Sequence, residues 1–281
     1  MNSTAPSHGI VTLADQNYFP GLETLYQSVQ ESFPTPVACF DIGLTQEQKN
    51  RAAGEYPLLT ILDLPDNADI LMVRESFKLE PALKKMGKRV WPLWLCPFLI
   101  AASPFQRVFW MDCDLVVLRG LADLFALLDD GPVFTPENLA PDVTHNKPEL
   151  YQLLPIARAF NPQSPAANGG VSGWDLQRDA RILEAYQYPI REAAERLSVR
   201  EAISWHDQGA LIWAIQNTGM EHRVLDTWTY NLCARHTAVM GKTFIWNRDV
   251  IAWLRDEVPE ACLLHWNGLP VPWGPVSYTH L

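Results

Sequence analysis

Asp112 and Asp114 stand two residues apart, where the apolar run Val108-Phe109-Trp110-Met111 gives way to a second, Leu115-Val116-Val117-Leu118. Two carboxylates this close in an apolar setting repel each other and lose hydration, and a divalent cation relieves both penalties. Hard cations such as Mg²⁺ and Mn²⁺ take carboxylate oxygens and commonly bring a substrate phosphate with them. If the strand continues through the pair, side chains at i and i+2 point to one side and the two carboxylates converge. The bland alternative is a solvated turn, since Asp-x-Asp is common by chance; the flanking apolar runs argue against it.

The elements around the pair say where it must sit. Gly9 to Ala14 reads as a short apolar strand, Pro36 to Gly43 as a second and Leu58 to Leu62 as a third. Leu22, Leu25, Tyr26, Val29 and Phe33 recur at helical spacing. Thr45, with Gln48 three residues on, predicts a capped helix over residues 46–56. A loop follows near residues 65–69, then a helical stretch over 91–102, then the strand ending at Asp112. Alternation of this kind implies right-handed parallel crossovers and a covered sheet. Ligands bind beyond the carboxyl ends of such strands. That places Ala14-Asp15-Gln16-Asn17, after the first strand, on the same edge as Asp112-Cys113-Asp114.

The second half is less regular. Residues 136–167 hold six prolines and read as a long surface excursion. Asn168 to Trp174 reads as a turn into a strand, residues 207–216 as a helix, and residues 261–273 as a short strand followed by a loop.

Composition narrows the class. The chain has 281 residues, 48% hydrophobic and 19% charged, which fits one large domain. The formal charge of −10 argues against nucleic acid or an anionic membrane as partner. An anionic substrate would need local help, which a metal could give. Five scattered cysteines without a Cys-x-x-Cys pair point to reduced thiols and a cytoplasmic setting, with peripheral membrane attachment left open. No apolar run is long enough for a transmembrane segment. Residues 275–281 read as a non-native C-terminal scar. No Gly-x-Gly-x-x-Gly follows the first strand and no Walker-type loop exists, which excludes an ordinary dinucleotide enzyme or P-loop kinase.

Five motifs occur in order: Ala14-Asp15-Gln16-Asn17-Tyr18, Asp112-Cys113-Asp114, Asn168-Gly169-Gly170, Asp207-Gln208 and His265-Trp266-Asn267-Gly268. The series resembles the glycosyltransferases of the GT-A fold, most closely glycosyltransferase family 8, over residues 8 to 274. The resemblance implies a nucleotide-diphospho-sugar transferase fold, a Rossmann-like, mostly parallel α/β sheet flanked by helices. It implies a single domain over 1–274, with a nucleotide-binding half (about 8–118) and a donor-sugar and acceptor half (about 119–274). Asp112, Asp114 and His265 would then hold Mn²⁺ or Mg²⁺ on the diphosphate of a nucleotide sugar, by expectation a UDP-sugar. Ala14, Asp15 and Asn17 would receive base and ribose. Asn168, Gly169, Gly170 and Gly268 would line the donor, and Asp207 and Gln208 would border the reacting centre. Transfer with retention to a glycan, lipid-linked or protein acceptor is the implied activity.

Ordinary structure competes with each assignment. Asp15, Asn17 and the glycine pair are also turn formers, Asp207 is also a helix-start residue, and His265 could be a core histidine. His206 reads as structural. Of eleven tryptophans, Trp91, Trp94 and Trp110 read as core, whereas Trp205, Trp266 and Trp273 are candidates for walls of the site. Two departures from the family pattern stand out. Val271 occupies a position where a phosphate-contacting lysine is expected, and residues 94–102 carry no cation, Lys88 and Arg89 lying earlier. These departures keep two other readings open: a sugar nucleotidyltransferase, and a non-catalytic nucleotide-sugar or glycan-binding protein.

Overall fold

A computed structural model describes residues 7–78, 91–141, 146–161, 163–237 and 248–266. The strands are β1 (His8–Ala14), β2 (Val37–Asp41), β3 (Leu59–Asp63), β4 (Arg107–Met111), β5 (Leu115–Val117), β6 (Val133–Pro141), β7 (Pro165–Asp175), β8 (Arg223–Val224), β9 (Leu232–Cys233) and β10 (Leu263–His265). Seven form one sheet in the order β3-β2-β1-β4-β7-β6-β8. β1 to β4 run parallel, and β7 lies antiparallel between β4 and β6. The expected mostly parallel core is therefore present, extended by strands from the second half of the chain.

Period-two alternation explains why both faces are covered. On β4, Val108 and Trp110 join one apolar cluster and Phe109 and Met111 the other; on β1, Val11 and Ile10 divide the same way. Over the second face lie helices α1 (Phe19–Ser32) and α2 (Gln46–Glu55), with buried Leu22, Leu25, Tyr26 and Val29 on α1. Over the first lie α3 (Ala68–Phe77) and α4 (Cys96–Ala101). After α5 (Leu121–Leu127) and the short α6 (Leu150–Leu153), that face is completed by α7 (Ala180–Glu195), α8 (Leu197–Ala202) and α9 (Asp207–Thr218).

A second, three-stranded sheet carries part of the site. β10 runs antiparallel to β5 and parallel to β9. Its outer side packs on α11 (Arg248–Glu257), preceded in the chain by the single-turn α10 (Thr227–Tyr230), through Val116, Leu118, Leu254, Leu264 and Trp266. Leu115 stands opposite His265 in this sheet. Three residues after Asp112, the chain is thus already paired with the histidine's own strand.

Several local expectations are corrected. The stretch 91–102 is not one helix: a 3₁₀ turn over Trp91–Trp94 is followed by α4, with Pro97 in its first turn. α3 was not expected; Asn67 caps it by accepting from the backbone N–H of Asp69 and Ile70. The excursion 136–167 is only partly superficial, because Leu150 and Leu154 are fully buried. Asn168-Gly169-Gly170 is not a turn but the interior of β7.

Candidate metal and donor site

The acidic pair sits in a turn. The Leu115 N–H reaches back to the Asp112 carbonyl at 3.2 Å, so the strand does not run extended through Asp112-Cys113-Asp114. The convergence expected from i, i+2 alternation is achieved differently: the turn passes the chain from the large sheet to the small one and aims both carboxylates at β10. His265 Nε2 lies 3.1 Å from Asp114 Oδ1 and 3.9 Å from Asp112 Oδ2. Asp112, Asp114 and His265 offer three ligand atoms within 4.8 Å of one another.

Each group is held from behind. The Trp110 indole N–H donates to Asp112 Oδ1 at 3.0 Å, leaving Oδ2 toward His265. The histidine is 2% exposed, and its Nδ1 meets Asn231 Oδ1 at 2.8 Å. Asp112 is crowded by neighbouring atoms yet keeps 43% of its side-chain surface open. Burial first, then the Asp114 charge, pushes the Asp112 carboxyl up to about 6, against the pull of His265 and Trp110. Burial would lower His265, but the adjacent Asp114 and then Asp112 outweigh it and hold the imidazole above its usual value. Two carboxylates and an imidazole form a donor set that a divalent ion accepts.

β7 forms the second wall. Between the pairs Phe134–Ser172 and Pro136–Ala167, β6 advances two residues while β7 advances five. The surplus is a bulge holding Asn168, Gly169 and Gly170, a device common beside active sites. Neither glycine has a positive φ; the requirement is space. A β-carbon on Gly170 would stand 2.5 Å from His265 Cε1 and 2.8 Å from Asp112 Oδ2, and one on Gly169 3.0 Å from Asp207 Oδ2. The glycines let β7 press directly against the acidic pair and against the start of α9.

At that start, Asp207 is the first helical residue and not the cap. His206 precedes it at φ 58°, ψ −121° without a side-chain cap bond. The Asp207 carboxylate accepts instead from the Tyr186 hydroxyl at 3.1 Å. Burial, then the Asp112 charge, pushes Asp207 up to about 7. Gln208 Oε1 accepts from the Gly169 N–H and from Asn168 Nδ2, both at 3.3 Å. Asn168 Nδ2 also donates to Glu137, a further carboxylate of the site. His206 is packed edge-on to Trp94 and pushed down to about 4 by burial, in keeping with a structural role.

The turn after β1 closes the third side. Ala14 is buried, and Asp15 Oδ1 accepts from the N–H groups of Asn17 and Tyr18 at 2.9 and 3.1 Å. Asn17 is exposed. Burial and the charges of Asp114 and Asp112 raise the Tyr18 phenol, which links this turn electrically to the acidic pair. Trp266, expected as a wall, is 1% exposed inside the small core beside the second sheet; Trp205 stands 67% exposed at φ 58°. Gly268, Val271, Trp273, Lys88 and Arg89 lie outside the described residues. Trp110, Glu137, Tyr186 and Asn231 were not expected at the site. Only Trp110, two residues before Asp112, carried any local signal; the others arrive from distant parts of the chain.

The fold is that of the GT-A glycosyltransferases. Among solved structures, the chain is similar to the galactosyltransferase LgtC in complex with donor and acceptor sugar analogues, with 15% identity over 95% of this chain and 90% of that one and a TM-score of 0.63. It is also similar to an active-site mutant of LgtC, at 16% identity over 97% and 91% of the two chains and a TM-score of 0.59. The apo structure of the bifunctional glycosyltransferase WbbM matches at 13% identity and a TM-score of 0.58, over 98% of this chain but 47% of WbbM. No protein-family model matches the sequence, and neither does any curated protein. At such identities the likeness establishes the fold alone. Among the described residues no helix is long and apolar enough to cross a membrane.

Proposed function

We propose that the chain is a metal-dependent glycosyltransferase that moves a hexose from a nucleotide sugar, of the UDP class, to a hydroxyl acceptor with retention. The observation that carries this is the Asp112–Asp114–His265 cluster at the carboxyl edge of the parallel strands. These three would hold Mn²⁺ or Mg²⁺, which when bound supplies Lewis-acid neutralisation of a departing diphosphate. Among the described residues assembled here none is a lysine or arginine; a bound ion would supply positive charge facing that group.

The other residues bind and orient. The Ala14-Asp15-Asn17 turn receives base and ribose. Asn168, Gly169 and Gly170 line the donor sugar, with Gln208 bridging the first two. Asp207, raised toward neutrality, can donate or accept a hydrogen bond at a sugar hydroxyl near pH 7. In this reading residues 8–118 supply the nucleotide half and 119–274 the half that meets sugar and acceptor, a glycan, lipid-linked or protein hydroxyl. The test is release of UDP from a panel of UDP-hexoses, with Mn²⁺ and with EDTA. Metal-dependent release from at least one donor supports the reading. UDP binding without release from any donor, with or without acceptors, would turn it into a binding protein. Pyrophosphate release from a nucleoside triphosphate and a sugar phosphate would make it a nucleotidyltransferase.

A further inference from the structure

His265 has two ring nitrogens, and which one keeps its hydrogen decides whether the cluster can accept a metal. Nε2 faces Asp114 and Asp112. Nδ1 faces away, toward Asn231 Oδ1 at 2.8 Å. Asn231 is 6% exposed and sits at the end of α10, its own backbone N–H bonded to the Thr227 carbonyl. Its Nδ2 donates to Thr135 Oγ1 at 3.1 Å, and the Thr135 hydroxyl donates to the Val171 carbonyl at 3.5 Å. Thr135 is fully buried.

The polarity of this chain is set at its far end. A backbone carbonyl only accepts, so the Thr135 hydrogen points to Val171. The Thr135 oxygen is then left to accept, and the donating end of the Asn231 amide must face it. The carbonyl end of that amide therefore faces His265, and Nδ1 must carry the hydrogen. Nε2 points at the Asp114 carboxylate, which only accepts, at 3.1 Å, so the metal-free ring donates from both nitrogens; a bound divalent cation would take the place of the Nε2 hydrogen while Asn231 holds the one on Nδ1. Metal-ligating histidines are commonly oriented and made more basic by such an acceptor on the distal nitrogen.

We propose that Asn231, fixed by Thr135, is a positioning residue that locks His265 in the tautomer able to ligate a divalent cation. The proposal rests on the metal reading above, but its structural half can be tested without metal. It also accounts for the path of the chain: α10 and β9 bring Asn231 beside β10, which is parallel to β9 with His265 opposite Cys233.

Two readouts test it. The first is the ¹⁵N–¹H spectrum of the imidazole, metal-free and with Mg²⁺, with His265 assigned by its loss in His265→Gln. Wild type should keep the Nδ1 hydrogen in both states and lose the Nε2 hydrogen only with Mg²⁺. Thr135→Val, which frees the amide to turn, and Asn231→Leu, which removes it, should weaken the Nδ1–H signal. Asn231→Asp keeps an acceptor and should retain that signal. The second is direct Mn²⁺ binding, read from the free-ion paramagnetic resonance signal. Asn231→Leu and Thr135→Val should weaken it by about 10- to 100-fold, with Asn231→Asp near wild type. A wild-type ring without the Nδ1 hydrogen overturns the proposal, and so does wild-type Mn²⁺ affinity in a folded Asn231→Leu or Thr135→Val. Absence of Mn²⁺ binding in wild type, with the Nδ1 hydrogen present, would instead sink the metal reading and leave a structural histidine. Should Asn231→Leu fail to fold, the wild-type spectrum and Thr135→Val still decide.

Discussion

Adding a single methyl group at Gly170 should jam the metal cluster while removing none of its ligands. The backbone of Gly170 is ordinary for any residue, having no positive φ, so Gly170→Ala introduces crowding without conformational strain. The new β-carbon would stand 2.5 Å from His265 Cε1, 2.8 Å from Asp112 Oδ2 and 3.1 Å from Asn168 Oδ1. Carbon atoms pack at about 3.5 Å or more. The imidazole must therefore retreat by about 1 Å, and the Asp112 oxygen by roughly half that. Ligand distances in a metal site tolerate about 0.2 Å. His265 is packed on its far side by Asn231, so retreat carries an overpacking cost of about 1–3 kcal/mol. At about 1.4 kcal/mol per factor of ten, that is a loss of roughly 5- to 150-fold in metal affinity. Mn²⁺ titration of Gly170→Ala against wild type reads this directly. Gly54→Ala, where an added β-carbon meets nothing within 4 Å, is the control and should bind as wild type does. Gly170→Ala with Mn²⁺ affinity within twofold of wild type would refute the packing argument.

Further outcomes follow from the same geometry. Gln208→Ala should lower sugar transfer while leaving Mn²⁺ affinity within twofold, because Gln208 touches Asn168 and Gly169 and none of the three ligands; steady-state kinetics beside metal titration check it. Asp207 titrates near 7 in the folded chain against an ordinary 3.8, raised by burial and then by Asp112. A folded pKa above the unfolded one means the contribution to stability is intact below about pH 4 and lost as pH rises through about 7. Urea unfolding of Asp207→Asn should therefore match wild type at pH 4 and exceed it at pH 8 by on the order of 2–4 kcal/mol; equal stability at both would show that the carboxyl is not strained by its charge. Thr45→Ala should cost about 0.5–2 kcal/mol in the same assay through loss of the capping box.

That last prediction marks where the sequence was most legible. Thr45 and Gln48 signal a helix start through bonds to their own backbone, and the structure contains both bonds of the box. The first three strands were likewise written in contiguous apolar runs. What failed depended on contacts between distant segments. Gly169-Gly170 looks like a turn because glycine is a common turn former, yet here the glycines answer crowding from Asp207, Asp112 and His265 inside a bulged strand. The Asp112–Asp114 turn was read as extended because its cause, the pairing of β5 with β10, lies some 150 residues away in the chain. Asn231 and Tyr186 carry no local pattern; one is seen only through His265 and the other only through Asp207. Trp266, adjacent to a motif residue, was expected at the site, but one step along β10 from His265 the chain turns to the other face and into the small core.

The central claim is that Asp112, Asp114 and His265 hold a cation through which a nucleoside diphosphate is bound. Calorimetry of UDP with Mn²⁺ and with EDTA, on wild type and Asp114→Ala, tests it most directly. The account predicts binding by wild type with Mn²⁺, and its loss both with EDTA and in Asp114→Ala. UDP bound equally well with EDTA, or by a folded Asp114→Ala, would contradict it.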